Sequence, residues 1–280
     1  FVIVPAALPE GGLRLTLLDI GQGLAAVVQT RNHVLLFDAG TTYGPQADSG
    51  NRVIVPFLRA GGIRAVDTLI VSHADKDHAG GAGSVLQAVP VHRLLQTHEE
   101  SYAHAAAMTA PCVAGDRWHW DGVDFEILHP LPRRAGGEKT RSNDLSCVLR
   151  ARIRNTAILF AADIERKTER DLVHRAAEML PARILLAPHH GSRTSSSAEF
   201  LAMVAPEYSL FATGYRNRFG HPKDDVLERY RRAGSRIYRT DLDGAITVNV
   251  GSGGDIEIRR YRAAVRRYWH APLENPDLPD

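Results

Sequence analysis

Apolar runs of strand length recur along the chain, separated by short Gly, Asn and Asp breaks. LRLTLLDI, LAAVVQT and HVLLFDAG follow one another closely, the spacing of antiparallel strands that meander. RVIVPFLRAGG reads as a short helix stopped by glycines, VDTLIVS as a buried strand, and GAGSVLQAV as a helix. DRWHWDGVDFEILHP alternates about Asp121-Gly122 and predicts a hairpin. SCVLRARI and TAILFAAD form a second strand pair, followed by the amphipathic helix ERKTERDLVHRAAEML. RILLAPHHGS, YSLFATG, DDVLERYRRAG and RIYRT continue the alternation, and DGAITVNV and IEIRRY close with strands. The order is that of two similar halves, each with strands and then helices. It predicts an α/β fold in a single domain over residues 1–280: a four-layer αββα sandwich, two mixed sheets with helices outside. LPRRAGGEKTRSN, polar and glycine-bearing, is the longest loop.

Composition changes this picture little. Of the 280 residues, 44% are hydrophobic and 24% charged, which suits a folded chain with a sizeable core and excludes a disordered one. The net charge of +2 does not announce a nucleic-acid binder. Its distribution adds something. RRYRAAVRRYW, within a basic extension over residues 251–280, interleaves Arg259, Arg260, Arg262, Arg266 and Arg267 with Tyr261, Tyr268 and Trp269. That mixture suits a phosphate backbone with stacked bases, and equally a solvated end. Cys112 and Cys147 are too few for a disulfide framework or a zinc knuckle. They would pair in an exported domain, and spacing alone leaves this open. No segment is long enough to span a membrane. The apolar opening FVIVPAALPEGG, without a methionine, reads as the edge of a preceding hydrophobic region over residues 1–12.

Metal-capable side chains recur at strand ends. Asp38 ends LLFDAG; His73, Asp75, Asp77 and His78 follow TLIVS; Asn143 and Asp144 precede SCVLRARI. Asp163 ends AILFAAD, His189 and His190 follow RILLAP, and His221 lies in NRFGHP. Each alone has an ordinary explanation: Asp38 caps a turn, Asp163 caps the next helix, and His221-Pro222-Lys223 makes a turn. Packing does not explain their recurrence at one strand end after another. In SHADKDHAGG, His73 and Asp75 alternate and point the same way. Asp77 and His78 are adjacent and can point to a second position. Gly80 and Gly81 are expected to let the chain pass close to the ions. Asp163 can bridge through its two carboxylate oxygens. Two metals about 3.5–4 Å apart are a known device for phosphoester hydrolysis.

SHADKDHAGG resembles the His-x-His-x-Asp-His motif of the metallo-β-lactamase superfamily, with Asp75 in place of the second histidine. LLFDAG, LFAADIE and LLAPHHGS resemble its flanking motifs. With LDIGQG, SNDLSCVLR, PHHGSRTSSS, GYRNRFGHP and TDLDGA, the chain over roughly residues 13–244 is similar to the C-terminal metallo-β-lactamase-like domain of the ComEC family of DNA-uptake channels. The resemblance implies the αββα fold and a metal-dependent nuclease. It would cleave DNA, single-stranded or duplex, without sequence preference, and degrade the strand not taken up during natural transformation. It also implies a membrane channel domain in the same full-length protein and a place on the outer face of a bacterial inner membrane.

Carried over residue by residue, the resemblance makes His73 and Asp75 ligands of a first ion, and Asp77, His78 and His190 ligands of a second. Asp163 would bridge. Asp38 would hold a ligand imidazole in its tautomer. His189, Ser192, Thr194, Ser195 and Ser196 would contact phosphate or orient a neighbour. Asp77, His78, Asp163 and His221 would form the catalytic centre, with His221 as general acid or phosphate contact.

Two departures stand out. The superfamily's further histidine before the bridging aspartate has no counterpart phrase, although His92, His98, His104, His119 and His129 lie in that interval. Asp144, or Asn143, of SNDLS would stand in. The usual Gly-Asp is Ala162-Asp163. A first site rich in oxygen donors favours Mn²⁺ over Zn²⁺ or Mg²⁺ among two divalent ions. The rival readings are a DNA-binding module with a vestigial metal site, using Arg193, Arg216, Arg218 and the basic tail, and a hydrolase of a lactam or thioester.

Overall fold

The computed structural model describes residues 8–97, 106–132, 141–265 and 277. Side chains in each strand alternate between two faces. Within Val34–Phe37, Leu35 and Phe37 point one way and Leu36 the other; within Thr156–Phe160, Ile158 and Phe160 part from Ala157 and Leu159. This sorting makes three apolar layers. The middle one lies between two sheets, where the Phe37 and Phe160 rings meet at 5.1 Å. The outer two bury each sheet's other face under helices. The result is the expected αββα sandwich.

The first sheet has eight strands, in spatial order Ile256–Arg260, Ile246–Val250, Leu13–Leu17, Ala26–Gln29, Val34–Phe37, Val66–Val71, Val91–Gln96 and Met108–Pro111. The second has seven: Arg236–Arg239, Tyr208–Phe211, Ile184–Leu186, Thr156–Phe160, Val148–Ile153, Val123–His129 and Arg117–Trp120. Each is antiparallel on one side and parallel on the other. The change falls at Val34–Phe37 in the first sheet and at Thr156–Phe160 in the second. A crevice beyond the carboxyl ends of strands at such a switch is where open α/β sheets bind ligands. Asp38 and Asp163 follow those two strands.

The strands Val91–Gln96 and Met108–Pro111 go beyond the sequence reading. The first carries His92 and Arg93 in mid-strand, and the second is a half-exposed edge ending in proline. The helix expected over 165–180 divides into Arg166–Arg175 and a 3₁₀ turn at Ala177–Met179, because Ala176 leaves helical geometry (φ −135°). Cys112 and Cys147 are disulfide-bonded, joining the end of the first sheet's edge strand to the second sheet. No helix among the described residues is long and apolar enough to cross a membrane. The expectations for residues 1–7, His98, His104, Arg266, Arg267, Tyr268 and Trp269 lie outside the described residues.

Candidate metal centre

Both switch strands end in a left-handed residue that turns a side chain toward the crevice: Asp38 (φ 59°) after the first and Ala162 (φ 47°), just before Asp163, after the second. His189 and His190 are also left-handed (φ 51° and 53°). For residues other than glycine this costs roughly 1–2 kcal/mol each, and such strain persists only where the surroundings over-determine it. It sets consecutive histidines on either side of Asp163. His190 Nε2 is 3.6 Å from Asp163 Oδ1, and His189 Nε2 is 3.7 Å from Oδ2.

The strand Val66–Val71 delivers the opposing side chains. His73 Nε2 lies 3.9 Å from Asp163 Oδ2 and 3.7 Å from Asp75 Oδ2. His78 Nε2 lies 3.0 Å from Asp163 Oδ1 and 3.1 Å from His190 Nε2, and Asp77 Oδ2 is 3.4 Å from that same His190 nitrogen. Asp77, His78, Asp163 and His190 thus offer ligand atoms within 4.8 Å of one another. His73 and His189 approach the other oxygen of Asp163, and Asp75 stands beside His73. The carboxylate faces two groups, one with each oxygen.

The proton on each inner imidazole is placed by its acceptor. His78 Nδ1–H donates to Asp38 Oδ2 at 2.7 Å, and His190 Nδ1–H to the Ala212 carbonyl at 2.7 Å. The Ser72 hydroxyl donates to Asp38 Oδ2 at 2.8 Å and accepts from His73 Nδ1–H at 3.0 Å. With Nδ1–H committed in all three histidines, Nε2 is the atom each turns toward the crevice. Ser72, the first residue of SHADKDHAGG, is a relay between Asp38 and His73 that the residue pattern does not reveal.

Electrostatics make the crevice a cation receptor. Burial opposes charge on His78, but Asp163 and Asp38 outweigh it and raise its proton affinity well above the ordinary histidine value. His190 is raised against burial by Asp163 and Asp77. Burial also works against the Asp77 carboxylate, but His190 and His78 hold its pKa at about 2. Asp163 is held well below the carboxylate range despite its burial, chiefly by His78 and His190. His73, pushed down to about 4 by burial and by His78, stays neutral. With each Nδ1–H committed, an added proton on His78 or His190 sits on Nε2, the atom a metal would use. The buried His73 Nε2 has no hydrogen-bond partner among the described residues, and Asp163 Oδ1 meets only the imidazole nitrogens of His78 and His190. An orphaned buried imidazole nitrogen beside carboxylates and further imidazoles is what a metal ligand looks like, so the donor set fits divalent ions.

Other expected site residues fall elsewhere. Asn143 and Asp144 form a short 3₁₀ turn, and the Asp144 carbonyl accepts from His129 Nε2. From this segment it is the Ser146 hydroxyl that touches the site, accepting the Asp163 backbone N–H at 3.3 Å. Ser195 and Ser196 are buried and not free to donate to phosphate. The Ser195 hydroxyl donates to the Ile164 carbonyl, and that of Ser196 pairs with Tyr230. Thr194 Oγ1 lies 3.1 Å from both His189 Nδ1 and the Ser192 hydroxyl, so this pair orients His189. His221 is half-buried with its ring 6.0 Å from that of His189. Burial and the neighbouring His190, His189 and Lys223 push it down to about 4, so at neutral pH it is not an imidazolium acid. Gly80 and Gly81 are packed against backbone: a Cβ on Gly81 would come within 2.3 Å of the Ala39 carbonyl, and one on Gly80 within 2.6 Å of the Thr42 nitrogen. The three tail arginines among the described residues are engaged within the chain: Arg259 with Glu257, Arg260 with Asp243 and Arg262 with Asp19.

The model of the metallo-beta-lactamase superfamily matches residues 18–215. Competence protein ComA of Neisseria gonorrhoeae is 40% identical over 265 residues, which cover 95% of this chain and 36% of that protein. Recombination protein 2 of Haemophilus influenzae is 33% identical over 236 residues, covering 83% and 28%. The chain therefore spans about a third of the length of the curated relatives it matches. Among solved structures, the diiron β-hydroxylase CmlA of Streptomyces venezuelae superposes with a TM-score of 0.56 at 14% identity, covering 91% of this chain and 55% of that one. Such a distant likeness speaks for the fold alone. By its family match and by these relatives, the chain belongs to the metallo-beta-lactamase superfamily.

Proposed function

We propose that this domain is a metal-dependent nuclease that hydrolyses DNA phosphodiesters. The observation that carries the reading is Asp163, whose two oxygens face two separate ligand groups. His73, Asp75 and His189 would hold one ion with Oδ2, and Asp77, His78 and His190 the other with Oδ1. His189 thereby takes the role of the superfamily's missing histidine. About Oδ2 the oxygen donors are Asp163 and the half-exposed Asp75, and on their account Mn²⁺ is the ion we assign to it, although the second imidazole, His189, makes the site less oxygen-rich than the sequence implied. Such ions supply an activated water and positive charge at phosphorus. The chain's own residues do the rest. Asp163 stays ionised between the two groups. Asp75, reached by solvent with its side chain 46% exposed, accepts the attacking water's proton, and as the P–O bond to the leaving oxygen breaks, a solvent water protonates that oxygen. His221, neutral, donates a hydrogen bond to a phosphate oxygen.

The names of the relatives, competence and recombination proteins, support a role in DNA uptake. In that role we assign to this domain the degradation of the strand left outside. The Cys112–Cys147 bridge supports an oxidising, extracytoplasmic setting. We assign a membrane channel to the remainder of the full-length protein. The test is metal-stripped protein given Mn²⁺, Mg²⁺ or Zn²⁺ separately and assayed on single-stranded and duplex DNA. Cleavage restored by Mn²⁺ and abolished in Asp163→Ala is expected. DNA bound but intact under all three ions would instead make this a binding module, and rescue by Zn²⁺ alone would refute the manganese assignment.

A further inference from the structure

The turn between Gly214 and His221 has a composition found nowhere else near the crevice. Tyr215-Arg216-Asn217-Arg218-Phe219 alternates aromatics with arginines about one asparagine. Asn217 makes the segment rigid. Its Nδ2 donates to the carbonyls of Gly214 (3.0 Å) and His221 (2.5 Å), and its Oδ1 accepts from the His221 N–H (2.9 Å). Two successive turns close around it, Asn217 N–H to Gly214 O and Gly220 N–H to Asn217 O. Each turn offers one ring to solvent: Tyr215 is 51% and Phe219 45% exposed. The Arg216 guanidinium lies 5.2 Å from the Tyr215 ring centre, and that of Arg218 4.8 Å from Phe219. Neither arginine has a carboxylate partner among the described residues, whereas the nearby Arg193 is held by Asp225 at 2.8 Å.

The segment borders the metal centre. The Phe219 ring stacks on His221 (5.7 Å), whose ring meets that of His189. On the other side, the Gly214 N–H donates to Gln22 Oε1, in the loop whose Leu24 N–H donates to the Asp77 carbonyl. Tyr43, also half-exposed, hydrogen-bonds the Ile20 carbonyl of that same loop. Three of the four exposed Tyr and Phe side chains among the described residues therefore line one mouth.

We propose that this rim is a stacking platform for unpaired nucleobases, holding a single-stranded polynucleotide beside the metal centre. The proposal rests on the nuclease reading and narrows its substrate. An apolar protein partner would bury two uncompensated guanidinium charges, a large penalty. A phosphate backbone neutralises them while bases stack on the rings, and every base has a π face to offer. In a duplex those faces are already stacked on one another, so the arginines would still serve but the rings would not.

The test is fluorescence anisotropy on the Mn²⁺-loaded protein, with a short phosphorothioate strand and its duplex as probes. Removing both rings in Tyr215→Ala/Phe219→Ala is expected to weaken single-strand binding at least about tenfold, leaving duplex binding and metal content at the wild-type level. Arg216→Ala/Arg218→Ala should weaken both probes and flatten the single-strand salt dependence by roughly 1.4, from about 0.7 per phosphate contact. Single-strand binding by the aromatic variant within twofold of wild type overturns the proposal, as does an equal loss for both probes. A wild type that cleaves no DNA yet binds the strand through these rings sinks the nuclease reading and leaves the platform standing.

Discussion

Asp38→Asn replaces one carboxylate oxygen by an amide nitrogen at nearly constant shape. Asparagine tolerates the left-handed backbone at this position, so strain is not introduced. Asp38 is fully buried and accepts three hydrogen bonds. The Ser72 N–H meets Oδ1 at 2.7 Å, and the Ser72 hydroxyl and His78 Nδ1–H meet Oδ2 at 2.8 and 2.7 Å. Asparagine keeps one acceptor. If its oxygen stays on the Ser72 N–H, its NH₂ confronts two donors. Reversing the Ser72 hydroxyl relieves one clash but takes the acceptor from His73 Nδ1–H. The other is relieved only if His78 moves its proton to Nε2, the ligand atom. Loss of such an outer partner lowers metal affinity about 10–100-fold. One unsatisfied buried donor costs roughly 1–3 kcal/mol, which for a chain of this size lowers Tm by about 2–12 °C. Calorimetric titration of stripped protein with Mn²⁺ reads the first effect, and thermal melts in chelator read the second. A variant that takes up both equivalents with wild-type affinity would refute the relay from Asp38 through Ser72 to His73 and His78.

Other expectations follow from the same geometry. His189→Ala should lose one of two metal equivalents by elemental analysis while keeping the other; unchanged stoichiometry would remove His189 from the ligands. Metal uptake should release protons and strengthen as pH rises through neutrality. The raised His78 and His190 keep a competing proton on Nε2 until pH passes their folded values, whereas Asp77, at about 2, is already ionised and adds no pH dependence there. Titration in buffers of different ionisation enthalpy measures this, and heats independent of buffer would contradict it. Cys112→Ser/Cys147→Ser opens a loop with a sequence separation of 35 and should cost roughly 3–4 kcal/mol by loop entropy, read as a shift of the denaturation midpoint.

Much of the site was legible because metal ligands sit at strand ends, and strand ends show in the apolar pattern. His73, Asp75, Asp77, His78, Asp163 and His190 do converge. What was not legible is partnership across the fold. The serine run after His190 looks like a row of phosphate donors, but Ser196 is claimed by Tyr230 and by buried Glu169, whose carboxylate accepts the Ser196 and Ser197 N–H groups. Neither partner is near it in sequence. For His189 the sequence suggests a phosphate contact or a neighbour's orienter, because nothing local signals a left-handed pair that splays consecutive imidazoles. Asp144 was chosen for its residue type, while the contact to Asp163 comes from Ser146 two positions on. GYRNRFGHP does not mark Tyr215 and Phe219 as surface rings, because exposure is a property of the folded chain.

The Cys112–Cys147 bridge touches no ligand, yet it sits on the seam of the centre. The Cys147 N–H donates to the Ser72 carbonyl at 2.9 Å, beside His73, and Thr97 Oγ1 donates to the same oxygen at 3.0 Å. His73, Asp75, Asp77 and His78 come from the first half of the chain; Asp163, His189 and His190 come from the second. With the bridge closed, a cation meets two half-sites already held in mutual position. With it reduced, part of the ion's binding free energy goes into docking the halves, and affinity falls accordingly. The thiol–disulfide state of a bond that holds no ligand itself thereby sets how firmly the ions are retained, and reducing agents should act on this protein as indirect chelators.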